Sequence, residues 1–477
     1  MTATRVALVV RVLIALCTRT VFQPDEYFQS LEPAHKAVFG YAQLTWEWLA
    51  PKPIRSIFYP ALNIPIYWTL KASGLSEMPG IGSWLLVCAW NTNDTRVTLK
   101  RGRSTALGCC TAFLPQVRIS GSAKSPVNGL VVNTCRQRII ATLALFSLDS
   151  LYYGRPTFTP WNFLMTNLSS VSLFYGSSPW HYYLVQALPI LCTTALPFVL
   201  HGAWSVIFDR HAAALRNMLA TIVWTIGIYS VAGHKEWRFI HPILPLLYIL
   251  AAKSLVDLSD RRQEKTKLAA NSSTHLLMRT LPPIRQAFLV FLSLTIPASL
   301  YVVLFYCSAP ISVLSYIRSL PADDLHVGGI GFLMPCHSTP GHAYIHRKEL
   351  VHGKMWSLGC EPPLQNQNLS TYRDQTDVFF RAPVEYLESR FPPRVDPSFP
   401  LSPYPASVPG APTPEKHPWI HEWPRYLVFF GALLEHEGVQ NLLEAKDYAE
   451  VWRKGRAWEG EGERKGGVRV WRWKGFF

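Results

Sequence analysis

Three short runs carry residues whose types and spacing suit chemistry, and each sits where an apolar stretch of the chain ends. The first is Gln23-Pro24-Asp25-Glu26-Tyr27-Phe28-Gln29-Ser30. Adjacent carboxylates at the edge of an apolar block are costly to desolvate. Pro24 fixes the backbone there and ends the preceding helix, holding Asp25 and Glu26 near an interface. One carboxylate so placed can take a proton from an attacking hydroxyl; the plainer reading is an anchoring helix cap. The second run, Gly233-His234-Lys235-Glu236-Trp237-Arg238-Phe239, is pinned between two apolar segments. Lys235 and Arg238 lie about one helical turn apart, and both can reach a phosphate, Arg with a fork and Lys as a point charge. Headgroup contact with pairing to Glu236 is the competing reading. The third run, Leu44-Thr45-Trp46-Glu47-Trp48, followed by Ile54-Arg55-Ser56, offers two indoles around a carboxylate as a sugar platform, or simply interfacial Trp anchoring. His181, in the aromatic run Phe174–Tyr183, is a further polar contact in the same sense, although a lone His is more often structural.

These runs need elements to position them, and the composition says which. The chain has 477 residues, 49% hydrophobic and 16% charged, against about 25% charged in a soluble domain. Seven apolar stretches approach or exceed the roughly 17–25 residues that cross a bilayer: Val6–Phe22, Tyr59–Trp90, Ile139–Tyr153, Tyr182–Phe208, Ala213–Ala232, Phe239–Leu258 and Gln286–Ile317. Val6–Phe22 is interrupted by Arg11, and Ile139–Tyr153 is short. The formal charge of +15 does not read as a nucleic-acid footprint, because the basic residues collect in loops between apolar blocks. One such loop holds Arg96, Lys100, Arg101, Arg103, Arg118, Lys124, Arg136 and Arg138; another holds Lys253, Arg261, Arg262, Lys265 and Lys267. Basic loops stay cytoplasmic, so alternation puts residues 23–58, 154–181 and 233–238 and everything past about 318 on the opposite face. No cleavable signal peptide is expected, since charged and aromatic residues follow the first apolar block.

The expected domains are a membrane part, 1–318, and a smaller polar domain of mixed helix and strand, 319–477. In the latter, Tyr426–Leu434 is apolar but too short to span, Phe391–Pro414 reads as loop, and the alternating run Val468–Phe477 reads as a final strand. Residues 91–137 stand apart as an atypical basic loop. The nine cysteines show no metal spacing, and no metal site is expected. Cys336 and Cys360 alone occupy the polar tail, which the topology places in an oxidising compartment where they can pair. There is no Asp-x-Asp pair, P-loop or Gly-rich dinucleotide fingerprint, so a glycosyl transfer on that face would draw on a lipid-phosphate donor.

Together, Thr20–Ser30, Leu44–Trp48 with Ile54–Ser56, Tyr175–Leu184 and His234–Phe239 resemble the dolichyl-phosphate-mannose-dependent mannosyltransferases of glycosyltransferase family 22. The last segment matches the family's His-Lys-Glu-x-Arg-Phe motif. Phe332–Pro340, Cys360-Glu361-Pro362-Pro363 and Trp423–Leu427 resemble the members that add a third mannose, α-1,2-linked, to the glycosylphosphatidylinositol (GPI) precursor. The resemblance covers most of 11–80 and 149–430; residues 91–137 depart from it, where the family has further membrane helices. It implies an α-helical multispanning membrane protein of GT-C type with a smaller mixed α/β luminal domain, in the endoplasmic reticulum membrane with its catalytic face luminal. It further implies dolichyl-phosphate mannose as donor, a GPI-precursor glycolipid as acceptor, membrane lipids as surroundings, and neither cofactor nor nucleic acid. In that frame Asp25 is the expected general base, with Glu26 assisting. Lys235, Arg238 and His234 are the expected donor-phosphate contacts, and Trp46, Glu47, Trp48 and His181 the expected sugar contacts. The rival readings are a sibling mannosyltransferase acting on another GPI or N-glycan precursor, and an inactive membrane scaffold or transporter. A transporter would be expected to carry charges inside its helices, whereas here they cluster at the boundaries.

Overall fold

Four of the apolar stretches fold as helical segments long enough and apolar enough to cross a bilayer: Tyr183–Phe208, Ala213–Val231, Trp237–Ser259 and Gln286–Ser319. The computed structural model describes residues 9–10, 12–14, 17–18, 20, 25–74, 127–209, 211–269, 284–364, 367–409 and 419–475. Most of the expected crossing Val6–Phe22, the second half of Tyr59–Trp90 and the basic loop up to residue 126 lie outside the described residues. Val127 onward, the end of that loop in the sequence reading, belongs instead to the 27-residue helix Val127–Tyr153. That helix therefore begins well before the apolar block Ile139–Tyr153.

The described residues form two compact units, one running up to Phe174 and resuming at Tyr301, the other within Tyr175–Leu300. In the second unit one helix shows apolar residues both inward and outward. Helix Leu196–Phe208 turns Phe198, Val199 and Val206 inward. It turns Leu200, Trp204, Ile207 and Phe208 outward at 56–66% exposure. A helix apolar all round belongs in lipid. Gly202 on its inner face meets the backbone of Leu250, where a methyl group would collide with the Leu250 carbonyl. The helices Leu196–Phe208 and Leu244–Ala269 thus pack with their backbones close, as small residues permit in membranes.

The first unit contains a five-stranded sheet of order β2-β1-β3-β5-β4, with β1 Ile330–Phe332, β2 Met355–Ser357, β3 Tyr426–Phe430, β4 Tyr448–Lys454 and β5 Val468–Trp473. β1 pairs in parallel with β2 and β3, and β5 pairs antiparallel with β3 and β4. The apolar run too short to span is β3, all five of whose residues are buried. The alternating Arg-Val-Trp-Arg-Trp run is β5, as its pattern requires. One face of the sheet packs Val428, Phe430, Val468 and Val470 against Val313, Leu314 and Ile317. Those last three lie on helix Ala309–Ser319, so the end of the stretch Gln286–Ile317 belongs to the sheet's core. An apolar sequence reads alike whether lipid or a sheet covers it. The other face packs Leu427, Phe429 and Trp471 against Phe379, Tyr386, Leu387 and Leu443.

The segment from Asp25 to Gly74 also belongs to this unit rather than to a separate membrane part. Tyr67 donates to the Ala343 carbonyl at 3.1 Å, and Glu32 accepts from the Ala343 N–H at 2.8 Å. Cys336 and Cys360 form the expected disulfide, 24 residues apart in sequence with Cα atoms 5.9 Å apart. Closing a loop of that length removes chain entropy worth roughly 3–4 kcal/mol from the unfolded state. Cys360→Ala is accordingly expected to lower the unfolding temperature of the detergent-solubilised protein by several degrees. Dithiothreitol should lower the parent similarly and the variant not at all.

Candidate active site

Asp25 and Glu26 lie in a helical run that continues through a π-helical turn, Tyr27–Leu31, into helix Glu32–Phe39 and stops at Gly40, whose φ of +88° is left-handed. The widened turn precedes Pro33, which has no N–H to give and would clash with the carbonyl four residues back in a regular helix. It turns Phe28 inward, while the Asp25 side chain stays 28% exposed.

The partner of Asp25 comes from 312 residues away: His337 Nδ1 stands 3.1 Å from Asp25 Oδ1. The imidazole stacks on Phe28 with ring centroids 4.6 Å apart. Around this pair, Arg464 donates to the Cys336 carbonyl at 3.2 Å and to Ser338 Oγ at 3.3 Å; burial lowers its guanidinium, with the Asp25 charge opposing. Behind lies Glu361, a buried carboxyl pushed up to about 7 by desolvation and held down in part by the His337 charge. Cys336, His337 and Cys360 are the one grouping of three candidate metal donors among the described residues. Its two sulfurs are bonded to each other, which removes them as thiolate ligands.

Next to Asp25 lies a buried polar seam. Glu32, fully buried, accepts from the N–H groups of Gln43 and Ala343 at 2.8 Å each. Desolvation lifts it to about 7, against those backbone donors. His35 bonds the Tyr41 carbonyl at 2.8 Å and His346 at 3.1 Å. Burial depresses His35 to about 3 and His342 to about 4. On the far face of the sheet His421, stacked on Phe391 and bonded to the Tyr386 hydroxyl at 2.8 Å, is depressed to about 3 by burial.

The signs of these shifts fix a pH profile. A histidine whose folded pKa is lowered stabilises the fold above its unfolded value of 6.5, and that stability is lost as pH falls toward 3–4. Glu32 and Glu361, raised from 4.5 to about 7, act oppositely: their stabilisation is present below 4.5 and lost as pH rises to 7. The two groups offset each other between pH 7 and about 4.5; below that the loss from the histidines continues without the two glutamates to offset it. Thermal stability is therefore expected to be nearly flat down to about pH 4.5 and to collapse beneath it. His421→Asn should make that acid limb shallower, which thermal unfolding at fixed ionic strength would read.

Of the expected sugar contacts, Trp46 and Trp48 are buried, at 8% and 3% exposure. Trp46 packs with Ala50 and Ile54; Trp48 donates to the Phe28 carbonyl at 3.1 Å and lies over Tyr153. Glu47 is taken by Arg55, 2.6 Å away. Trp48 thus braces the π-helical turn that carries Phe28. Sequence reasoning passed over Asp149, a fully buried carboxylate that gathers Ser56 Oγ at 2.8 Å, the Ile57 N–H at 3.0 Å and Thr159 Oγ1 at 2.5 Å. A single Asp in an apolar block, followed by hydroxyl residues, was its signal.

In the second unit the run at 233–239 is built as a closed cluster. Ser178 N–H donates to the Gly233 carbonyl at 3.1 Å, so these two loops share one end of the helices, as alternation requires. Lys235 is buried, its ammonium spent on the carbonyls of Ser178 at 2.8 Å and of Ala232. Arg238 forks onto both oxygens of Glu236, and His234 bridges Glu236 at 3.0 Å and the Gly176 carbonyl at 3.0 Å. Hydrogen bonding to Glu236 raises His234. Burial opposes ionisation of Glu236, but its bonds to His234 and Arg238 prevail and lower it. The internal pairing weighed against a phosphate site is therefore present, and Lys235 and Arg238 take different parts in it. His181 lies beside Trp180, ring centroids 5.5 Å apart, at the mouth of the helix beginning at Tyr183.

Four helical segments long enough and apolar enough to cross a bilayer give the chain the character of a membrane protein. The chain belongs to the Alg9-like mannosyltransferase family, whose sequence pattern matches residues 2–79 and 94–346, and it is a glycosyltransferase. The match passes through most of 91–137, the stretch that stood apart in the sequence. Among its relatives are the GPI mannosyltransferase 3 of Emericella nidulans, 33% identical over 97% of this chain and 76% of the relative, and the GPI alpha-1,2-mannosyltransferase 3 of Danio rerio, 31% identical over 81% and 79%. The mouse protein of the latter name is 29% identical over 80% and 77%. No solved structure matches the chain.

Proposed function

We propose that this protein transfers the third mannose, in α-1,2 linkage, from dolichyl-phosphate mannose to the GPI precursor on the luminal face of the endoplasmic reticulum membrane, within a GT-C-type fold whose sheet domain is luminal. The observation that carries the reading is the continuity of the likeness to the Emericella protein. It spans 97% of the chain and so takes in the Asp25 segment together with the C-terminal sheet that packs on it.

The donor is β-linked, so an α product requires inversion in one displacement. The 2-hydroxyl of the acceptor's terminal mannose attacks C1, its proton passes to Asp25, and the C1–O bond to phosphate breaks. Dolichyl phosphate leaves with the bonding pair. Arg238 meets the developing negative charge by exchanging Glu236 for a phosphate oxygen, with His234 beside it and Lys235 holding the loop in shape. Glu26 orients the base and His181 lines the approach of the sugars. The donor carries its own activated leaving group, so no cofactor is required.

Complementation of cells lacking the third GPI mannosyltransferase tests this reading. Expression of the chain is expected to clear the two-mannose precursor and restore the three-mannose intermediate, resolved by mass spectrometry. Persistence of the two-mannose precursor despite membrane expression would exclude the assigned acceptor and favour a sibling acceptor or a scaffold.

A further inference from the structure

His337 Nδ1 meets Asp25 Oδ1 at 3.1 Å, and the setting of His337 restricts it on every side. Its backbone sits at φ +56°, the left-handed region that a non-glycine residue occupies only when surrounding structure insists. The preceding residue is locked to Cys360 by the disulfide, and the following residue, Ser338, is held by Arg464. The ring lies flat on Phe28, 30° from parallel, and Phe28 is buried three residues along the same helical run as Asp25. The imidazole itself remains 26% exposed, so the pair is open to a substrate while its geometry is fixed.

We infer that His337 is a positioning residue for the proposed transfer: its Nδ1–H holds Asp25 Oδ1 and stops rotation of the carboxylate, fixing the base against the acceptor hydroxyl. The inference rests on the proposed function. A lone interfacial aspartate would be swung by water between rotamers. Gripping one oxygen supplies the orientation on which proximity effects depend, where a 1 Å error can lower the rate on the order of 10²-fold. The proton path is unchanged: it leaves the acceptor oxygen as the C1–O bond forms and comes to rest on Asp25, while His337 keeps its own Nδ1 proton. The donor bond also favours the charged carboxylate. Other charges facing the pair are Arg464, on the Asp25 side, and Glu361, on the His337 side.

His337→Ala and His337→Asn separate this role from simple packing. The Asn amide nitrogen stands where Nδ1 stood, and Asn tolerates the left-handed backbone. With full-length protein in detergent, dolichyl-phosphate mannose and a two-mannose GPI precursor, the alanine variant is expected to lose on the order of 10²-fold in kcat with little change in acceptor KM. Its acidic limb of kcat/KM should move to higher pH, since the carboxylate loses a donor to its charged form. The asparagine variant should recover most of the rate and the parent limb. An alanine variant with parental kcat overturns the inference. So does a loss shared equally by both variants with an unmoved limb, which is what misfolding alone would give. A parent that transfers no mannose overturns the functional reading and this inference with it.

Discussion

Asp25→Asn is expected to abolish mannosyl transfer while leaving the fold intact. The substitution keeps shape and volume, so Phe28, Trp48 and the helical run stay packed as they are. The amide can still accept from His337 at the position of Oδ1, so the pairing that anchors it survives. What disappears is basicity. General-base assistance is worth about 10²–10⁴-fold, and an acceptor hydroxyl without it is a poor nucleophile. Turnover in microsomes should fall by at least about 10²-fold, with donor binding and thermal stability near parental. Asp25→Glu should also be poor, because one added methylene displaces the carboxylate from His337. Residual activity above a tenth of the parent in the asparagine variant would move the base elsewhere, with Glu26 next to be tested.

Arg238→Ala carries the second large effect. Arg238 is paired through a carboxylate, Glu236, that a phosphate can replace like for like. The neighbouring Lys235 is buried against two carbonyls and has no such exchange to make. Removing a preorganised donor aimed at developing charge lowers kcat by about 10²–10³-fold. Arg238→Lys should recover part of that, since charge returns without the planar fork. Lys235→Ala should act differently, reducing the amount of folded protein in the membrane, because it leaves the Ser178 and Ala232 carbonyls without their shared donor. Assays of rate per folded molecule, with expression normalised by immunoblot, distinguish the two. Equal losses of specific rate in both variants would return Lys235 to the phosphate.

Much of this protein was legible in its residues. The apolar runs from Tyr182 to Ile317 announced helices, the alternation at the C-terminus announced β5, and two tail cysteines announced their bond. The His-Lys-Glu-x-Arg-Phe run marked the charged cluster correctly, but spacing alone could not say that Lys235 turns inward while Arg238 pairs outward. An indole at an interface and an indole packed inside have the same sequence signature, and burial places Trp46 and Trp48 among the latter. The apolar face of helix Ala309–Ser319 likewise reads as lipid-facing although it covers a sheet. His337 was hidden because its partner lies 312 positions away, and local patterning carries no information on such a pairing. Asp149, with its three donors, was a solitary charge in a helix and needed the fold to show that it ties a loop down.

The most direct test of the central claim is reconstitution. Purified protein would be given dolichyl-phosphate mannose and a two-mannose GPI precursor, and the product's new linkage read by NMR and by digestion with an α-1,2-specific exomannosidase. The account predicts one added mannose, α-linked to the 2-hydroxyl of the second mannose and removed completely by that enzyme, with none formed by Asp25→Asn. A mannose added at another hydroxyl, or transfer only to an N-glycan precursor, would contradict it.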